Sequence, residues 1–376
     1  MTTSMVKGNP LKLMLQFAVP LLIGNLLQQT YNIIDAAIVG QFLGTEALAS
    51  VGASSSVQFL VLGFCMGSCT GFGVPVAKYF GAERYERMRN YIFNGALLTG
   101  AIAVILTTAC ALLCSWILHI LSVPKDIYAN AYQYLLIIFL GIPFTLMYNY
   151  LSSILRAVGD SRTPFFFLAF SAVLNIFLDL FCIVVIKLGC AGAAIATISA
   201  QAISGILCLV FIIKKVRIMS LNKSERTWSG KAAKELLLMG IPTGLQFSIT
   251  AIGSMIMQSA NNGLGSMYVS AFTAASRIKQ FTICPFDAFA SAASVFCSQN
   301  LGAGQADRIR QGLKRGVTVG VIYGIFAGIL MITAGRVMSM IFLGTEAVGA
   351  LDASAKYLSC MGLFYWSLGI LTVTRM

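Results

Sequence analysis

Ten long apolar runs, separated by short polar stretches, dominate the chain. They fall at roughly 13–39, 47–76, 92–121, 127–155, 163–187, 190–214, 235–261, 267–297, 313–335 and 351–374. Each is long enough for a helix to cross a bilayer, which takes about 20 residues. Several are longer and are expected to tilt or protrude. Pro20, Pro75, Pro143, Pro242 and Pro285 lie inside or at the ends of these runs and are candidate kinks or helix ends. The pattern predicts an all-α polytopic membrane protein with about ten spanning helices. Composition agrees. Only 10% of residues are charged, against ~25% in an ordinary soluble domain, and the mean hydropathy is +0.84.

The polar stretches are charged unequally. Those on the N-terminal side hold 20 of the 26 basic residues, whereas the other side holds Lys125, Lys187, Arg336 and Lys356. Arg277 and Lys279 fall inside a run. By the positive-inside rule the N-terminus is cytoplasmic and the protein lies in the cell inner (plasma) membrane. The alternation holds through all ten runs and accounts for most of the net charge of +13 without nucleic acid. The ten cysteines lie mostly in apolar runs, and His119 is the single histidine. They read as small buried thiols rather than a disulfide framework or a metal site. The sequence has no His-Glu-x-x-His, no Gly-x-Ser-x-Gly and no paired catalytic His/Cys arrangement, so an enzyme is not expected. Neither a cleavable signal peptide nor a cofactor is expected.

The chain repeats itself. Phe-Ala-Val-Pro20 returns as Met-Gly-Ile-Pro242, the stretch at 43–49 returns at 264–271, and that at 80–89 returns at 301–310. The spacing of 221–222 residues covers about six helices. An even number gives two copies of the same sense, related by an axis along the membrane normal, an arrangement seen in transporters. This predicts an N-lobe over 1–214 with helices one to six. A cytoplasmic linker follows over 215–234, solvated and attracted to anionic lipid. A partial C-lobe over 235–376 holds helices seven to ten. The first copy runs 194 residues past Pro20 and the second only 134 past Pro242. The second bundle is therefore expected to be incomplete, the chain stopping about two helices short.

Polar residues inside the runs gather at one depth. Asn175 and Asp179 are four apart and share a helix face. A carboxylate inside the membrane is expensive, and it is kept mainly where it faces a protein interior or a wet cavity. Counting from the helix ends, Asp35, Asp179 and Thr197 lie ~7–12 Å below the outer surface. Ser54, Ser55, Ser56 and Gln58 sit at a similar depth on helix two, and Tyr31 and Asn32 lie one turn from Asp35. Two carboxylates in a low-dielectric cavity repel, and a proton or a cation between them relieves this. Carboxylate, amide and hydroxyl oxygens also suit Na⁺, so this polar layer, with Asp35 and Asp179 as its acids, is a candidate H⁺ or Na⁺ switch. The second copy lacks this layer; Asp287 stands alone in helix eight. Gln58, Gln258, Arg277 and Asp287 are candidate substrate-cleft residues.

Three stretches resemble the multidrug and toxic compound extrusion (MATE) transporters. The first runs from Pro20-Leu-Leu-Ile-Gly to Asp35-Ala-Ala-Ile-Val-Gly40. The second is Leu155-Arg-Ala-Val-Gly-Asp-Ser-Arg-Thr-Pro164, and the third is Leu174-Asn-Ile-Phe-Leu-Asp179. The Gly-Ala loops at 81–82 and 302–303 also fit. The resemblance implies a twelve-helix, two-lobe antiporter. Such a protein exports cationic or amphipathic drugs in exchange for H⁺ or Na⁺ by alternating access. It also implies an N-lobe cation site made of an acid on helix one, an Asn/Asp pair on helix five and a Thr on helix six. These fall on Asp35, Asn175, Asp179 and Thr197. The helix-seven acid of the family's other branch is missing, so no C-lobe cation site is expected. The expected partners are membrane lipid and small-molecule substrates, and the expected state is a monomer. A flippase for a lipid-linked sugar is the alternative; it would need more cavity cations than Arg277 and Lys279.

Overall fold

The computed structural model describes residues 3–375 except 122 and 345, with all their side chains except those of 45, 262 and 266. Eleven α-helices follow in order: α1 Pro10–Leu43, α2 Thr45–Gly81, α3 Tyr85–Ile120, α4 Lys125–Leu140, α5 Ile142–Ala157, α6 Arg162–Leu180, α7 Gly189–Lys215, α8 Gly230–Asn262, α9 Ser266–Gly302, α10 Ala306–Leu343 and α11 Val348–Arg375. There is no strand among the described residues. Among the described residues nine helices are long and apolar enough to cross a membrane, and α4 with α5, bent by 45°, counts as a tenth span if the pair is read as one.

The bend has a local cause. Gly141 separates the two helices, and Pro143 sits in the first turn of α5, where it donates no hydrogen bond. A side chain at Gly141 would collide with Ile198 of α7, so glycine lets that helix close on the bend. The other four prolines behave differently. Pro20, Pro75, Pro242 and Pro285 all lie inside continuous helices.

The repeat is visible in the backbone. Gly44 precedes α2 with φ 86°, and Gly265 precedes α9 with φ 101°. Glu83 (φ 56°) and Gly304 (φ 72°) turn the chain between α2 and α3 and between α9 and α10. Both turns close with the same bonds: Arg84 N–H to Tyr79 O at 3.1 Å, and Gln305 N–H to Asn300 O at 2.9 Å.

The helices group into two compact units, and each takes residues from both repeats. Among the described residues, unit 1 comprises 3–4 and 30–251, and unit 2 comprises 5–29 and 252–375. Unit 1 is cored by Phe72, Leu118, Leu135, Phe139, Ile142 and Leu146 from α2 to α5. Its α2 also meets the first half of α8 backbone to backbone. A Cβ at Gly67 would lie 2.6 Å from Thr243 O, and one at Gly71 2.5 Å from Met239 O. Unit 2 holds two apolar clusters, one around Met14, Phe17 and Phe296 and one around Met331, Leu358 and Tyr365. Its N-terminal segment is tied down by Met5 N–H to Gln299 Oε1 (2.8 Å) and by the Arg308 guanidinium to Gly8 O (2.9 Å). In α10, glycines recur every fourth residue from Gly312 to Gly328. Gly320, Gly324 and Gly328 press against the α11 backbone at Gly369, Tyr365 and Gly362.

The stretch between α7 and α8 is not a free connector. Val216 and Met219 are buried in the unit 1 core. Asn90 donates to Thr227 O at 2.9 Å, and Asn94 Oδ1 accepts from Ser229 N–H at 2.9 Å. Arg89 grips Glu225 at 2.6 and 2.8 Å. The basic side chains of this stretch remain exposed. The two hydrogen bonds from Arg89 hold the Glu225 carboxyl below its ordinary value of 4.5, helped by the Asn222 N–H. The sign follows from linkage. A lowered carboxylate stabilises the fold above its unfolded value and loses that contribution as pH falls below about 4.5. Glu225 is 6% exposed, so breaking the pair leaves a buried charge. Arg89→Met is expected to cost roughly 3 kcal/mol at pH 7. Thermal unfolding in detergent checks this, and the difference from the wild type is expected to shrink below pH 4.5.

Candidate functional site

The geometry of α6 begins at its first turn. Asp160 Oδ1 accepts from the backbone N–H groups of Arg162 (3.1 Å) and Thr163 (3.0 Å), which caps the helix. Pro164 follows, where a missing N–H costs nothing. The apolar run then carries α6 unbroken through Asn175 and Asp179. Directly beyond Asp179 the helix widens into a π-turn, Phe181–Val185, a feature often found beside functional groups. Lys187 (φ 61°) and Gly189 (φ 62°) reverse the chain. The returning helix α7 thereby brings Thr197 opposite Asn175.

Asn175 is 3% exposed and Asp179 fully buried. With one orientation of its amide, Asn175 donates to Thr197 Oγ1 at 3.4 Å. With the other it donates to Asp179 Oδ2 at 3.2 Å and accepts from Thr197 N–H at 3.3 Å. The second satisfies both ends of the amide and ties α6 to α7 across the carboxylate. Asp35, on the unit 1 part of α1, meets Asp179 side chain to side chain. An ionised carboxylate only accepts hydrogen bonds, so this contact needs a proton or a cation between the two groups. Asp35 Oδ1 and Asp179 Oδ1 are both buried and have no partner among the described residues. The donor set is two carboxylates with neutral oxygens from an amide and a hydroxyl. It suits a proton or a hard monovalent cation. No three His, Cys, Asp or Glu residues converge among the described residues.

Apolar residues neighbour the pair along the chain. Ile34 and Ile38 lie beside Asp35 on α1, Ile176, Leu180 and Ile183 lie near Asp179, and they form one apolar cluster with Ala193 and Ala194 of α7. Burial of the carboxylates strengthens the electrostatic contacts between them.

The sequence profile of the MatE family matches residues 20–181 and again 242–376. The chain belongs to the MatE family. The two matches begin at Pro20 and Pro242, the two starts of the repeat. Among curated relatives, the probable multidrug resistance protein YpnP of Bacillus subtilis is 31% identical over 365 residues, covering 97% of this chain and 81% of its own. The FAD transporter of Shewanella oneidensis is 24% identical over 311 residues, covering 80% of this chain and 68% of its own. Among solved structures, an outward-facing multidrug resistance MATE family transporter of the MOP superfamily superposes with a TM-score of 0.91. That match has 20% identity and covers all of this chain and 85% of the other. As a MatE protein the chain is a multi-pass membrane transporter and not an enzyme.

The remaining candidates separate. Gln58 of α2 joins the carboxylate pair by way of Tyr134 of α4, a residue not singled out from the sequence. Tyr134 is buried, reaches the Gln58 side chain, and lies within electrostatic range of Asp35, Asp179 and Tyr31. Gln201, one turn beyond Thr197, was also missed; with Tyr31, Ser171 and Asn175 it lines a small cavity. Depth would have found Tyr134, about ten residues into its span, and the four-residue step from Thr197 would have found Gln201. Ser54 and Ser55 do not join. Their hydroxyls donate to Ser50 O and Gly52 O on their own helix. Gln258, Arg277 and Asp287 belong to unit 2. Arg277 and Asp287 are exposed on α9, about 15 Å apart along the helix.

Proposed function

We propose that this MatE protein is an efflux antiporter that exports cationic or amphipathic small molecules in exchange for H⁺ or Na⁺ by alternating access. One observation carries the reading. Asp35 and Asp179 come from helices far apart in sequence, meet side chain to side chain, and each keep a buried oxygen without a partner among the described residues. Neutralising that pair changes the local charge. A state in which the pair is closed around an ion is thereby favoured over one in which it is open. Asn175 and Thr197 supply the neutral oxygens. The relatives' names, multidrug resistance in one and FAD transport in the other, support transport of small molecules as the class of activity. The preference for cationic and amphipathic solutes therefore rests on the resemblance to drug exporters and on the acidic site. A monomer in the plasma membrane with a cytoplasmic N-terminus completes the proposal; the skewed distribution of lysine and arginine supports that orientation.

The test is export of a cationic dye from vesicles containing the purified chain, with H⁺ and Na⁺ gradients imposed separately. At least one gradient is expected to accelerate export several-fold. A rate indifferent to both would remove the antiport reading.

A further inference from the structure

Unit 1 contains more buried polarity than the carboxylate site uses. Three neighbouring helices each carry a polar row that leads from the site toward the turn between α5 and α6. On α6 the row is Asp179, Asn175 and Ser171; on α7 it is Thr197, Gln201 and Ser204; on α5 it is Tyr148, Ser152 and Arg156. The steps are three or four residues, so each row lies on one helix face.

The rows also meet. Tyr31, Ser171, Asn175, Thr197 and Gln201 line one cavity of about 10 Å³, the room of a single water. Below it, α7 closes on α5: a Cβ at Gly205 would lie 3.7 Å from the Tyr148 Cβ. The Tyr148 phenol stands beside Ser152 and within electrostatic range of Tyr31, Cys208 and Arg156. Its hydroxyl donates to Pro164 O at 3.1 Å, near the start of α6.

Along these rows buried oxygens go unmatched. Gln201 Oε1, Ser204 Oγ and Ser152 Oγ have no partner among the described residues, as do the two carboxylate oxygens. Ser204 is fully buried and Ser152 is 2% exposed. One such group is tolerable; several along rows on neighbouring helices, beside a cavity with room for a water, point to ordered water. Many serines in this protein donate to a carbonyl of their own helix, as Ser54 does, and these two do not.

We propose that the three rows enclose a hydrated route through unit 1, along which the coupling ion moves between the Asp35–Asp179 pair and the α5–α6 turn. Arg156 stands at the far end, in the last turn of α5. Its fixed positive charge opposes free leak of cations. The proposal rests on the antiport reading above, and it adds the path by which the pair exchanges its ion with one side of the membrane.

Two measurements test it. In radiolytic labelling, hydroxyl radicals formed from bound water oxidise the side chains beside that water. Tyr148 is expected to be oxidised at least fivefold faster than Tyr150. The two are about equally buried, at 6% and 4%, and both donate to a backbone carbonyl, but Tyr148 stands on the polar row beside Ser152 whereas Tyr150 is packed in the apolar core. Equal protection of both would overturn the route, and this holds whatever the chain transports. In vesicles, Ser204→Leu is expected to slow gradient-driven dye export at least tenfold while dye affinity stays within twofold. If the wild type responds to a gradient and Ser204→Leu keeps its full rate, the route fails and the antiport reading stands. If the wild type responds to neither gradient, the antiport reading fails and the labelling still decides whether the lobe is wet.

Discussion

Asp179→Asn is expected to stop gradient-driven export while the chain still folds and inserts. The substitution keeps the size and shape of a fully buried side chain, so packing against Ile176, Leu180 and Ile183 is retained. The amide can still pair with Asn175, and it can donate to Asp35 without borrowing a proton. What disappears is one of the two negative charges that an ion must neutralise. A carboxylate and a cation about 3 Å apart attract by roughly 5 kcal/mol at an effective dielectric of 20. That corresponds to an affinity loss on the order of 10³-fold. Dye export under imposed H⁺ and Na⁺ gradients, with detergent-phase thermal unfolding as the control for folding, checks it. An unchanged driven rate in a stable Asp179→Asn protein would falsify the pair as the coupling site.

The acidic core of that site was legible because lipid makes charge conspicuous. An aspartate in an apolar run has few explanations, and Asn175 and Thr197 fall at its depth. The surrounding polarity was not legible, for a physical reason. A serine, threonine or tyrosine in a membrane helix can satisfy itself on its own backbone, and sequence does not say which ones do. Ser54 does so and drops out, whereas Ser204 does not. Tyr134 was one of thirteen tyrosines, and its role depends on Gln58 arriving from another helix. At the level of the fold, the repeat could be read from glycines whose backbone angles only glycine adopts easily, such as Gly44 and Gly265. Of the five prolines read as kinks or helix ends, four lie inside continuous helices, since a membrane helix can re-satisfy the carbonyl that a proline frees.

The second large effect is expected from Gly320→Leu. Inside a membrane the hydrophobic effect does not hold helices together, and close packing of small residues must do so. A Cβ at Gly320 would lie 2.7 Å from Gly369 O, and one at Gly324 would lie 2.6 Å from Tyr365 O. These are contacts with backbone, which cannot rotate away. A leucine forces α10 and α11 apart along the whole row. It also pulls on Tyr365, whose hydroxyl meets Thr282 at 2.8 Å, and on the Ser339–Ser354 pair at 2.8 Å. Overpacking of a yielding core costs about 1–3 kcal/mol, so roughly 3 kcal/mol or more is expected here. Gly100→Leu is the control, since nothing lies within 4 Å of a Cβ at that glycine. Detergent-phase melting is expected to separate the two by several degrees. Similar melting of both would show that the glycine row is not what joins these helices.

The exchange of helix segments between the two units bears on the ancestry of the chain. A cut in the connector before α8 would leave two pieces, and neither would contain a whole compact unit. Unit 1 would lack residues 230–251, and unit 2 would lack residues 5–29. If the repeat arose by duplication, a single-copy ancestor with these units would complete its fold only by lending the first half of its first helix to a second copy and borrowing one in return. Such a protein would be a swapped dimer from the outset. Fusion of two genes would then make permanent, within one polypeptide, a partnership that the fold already required.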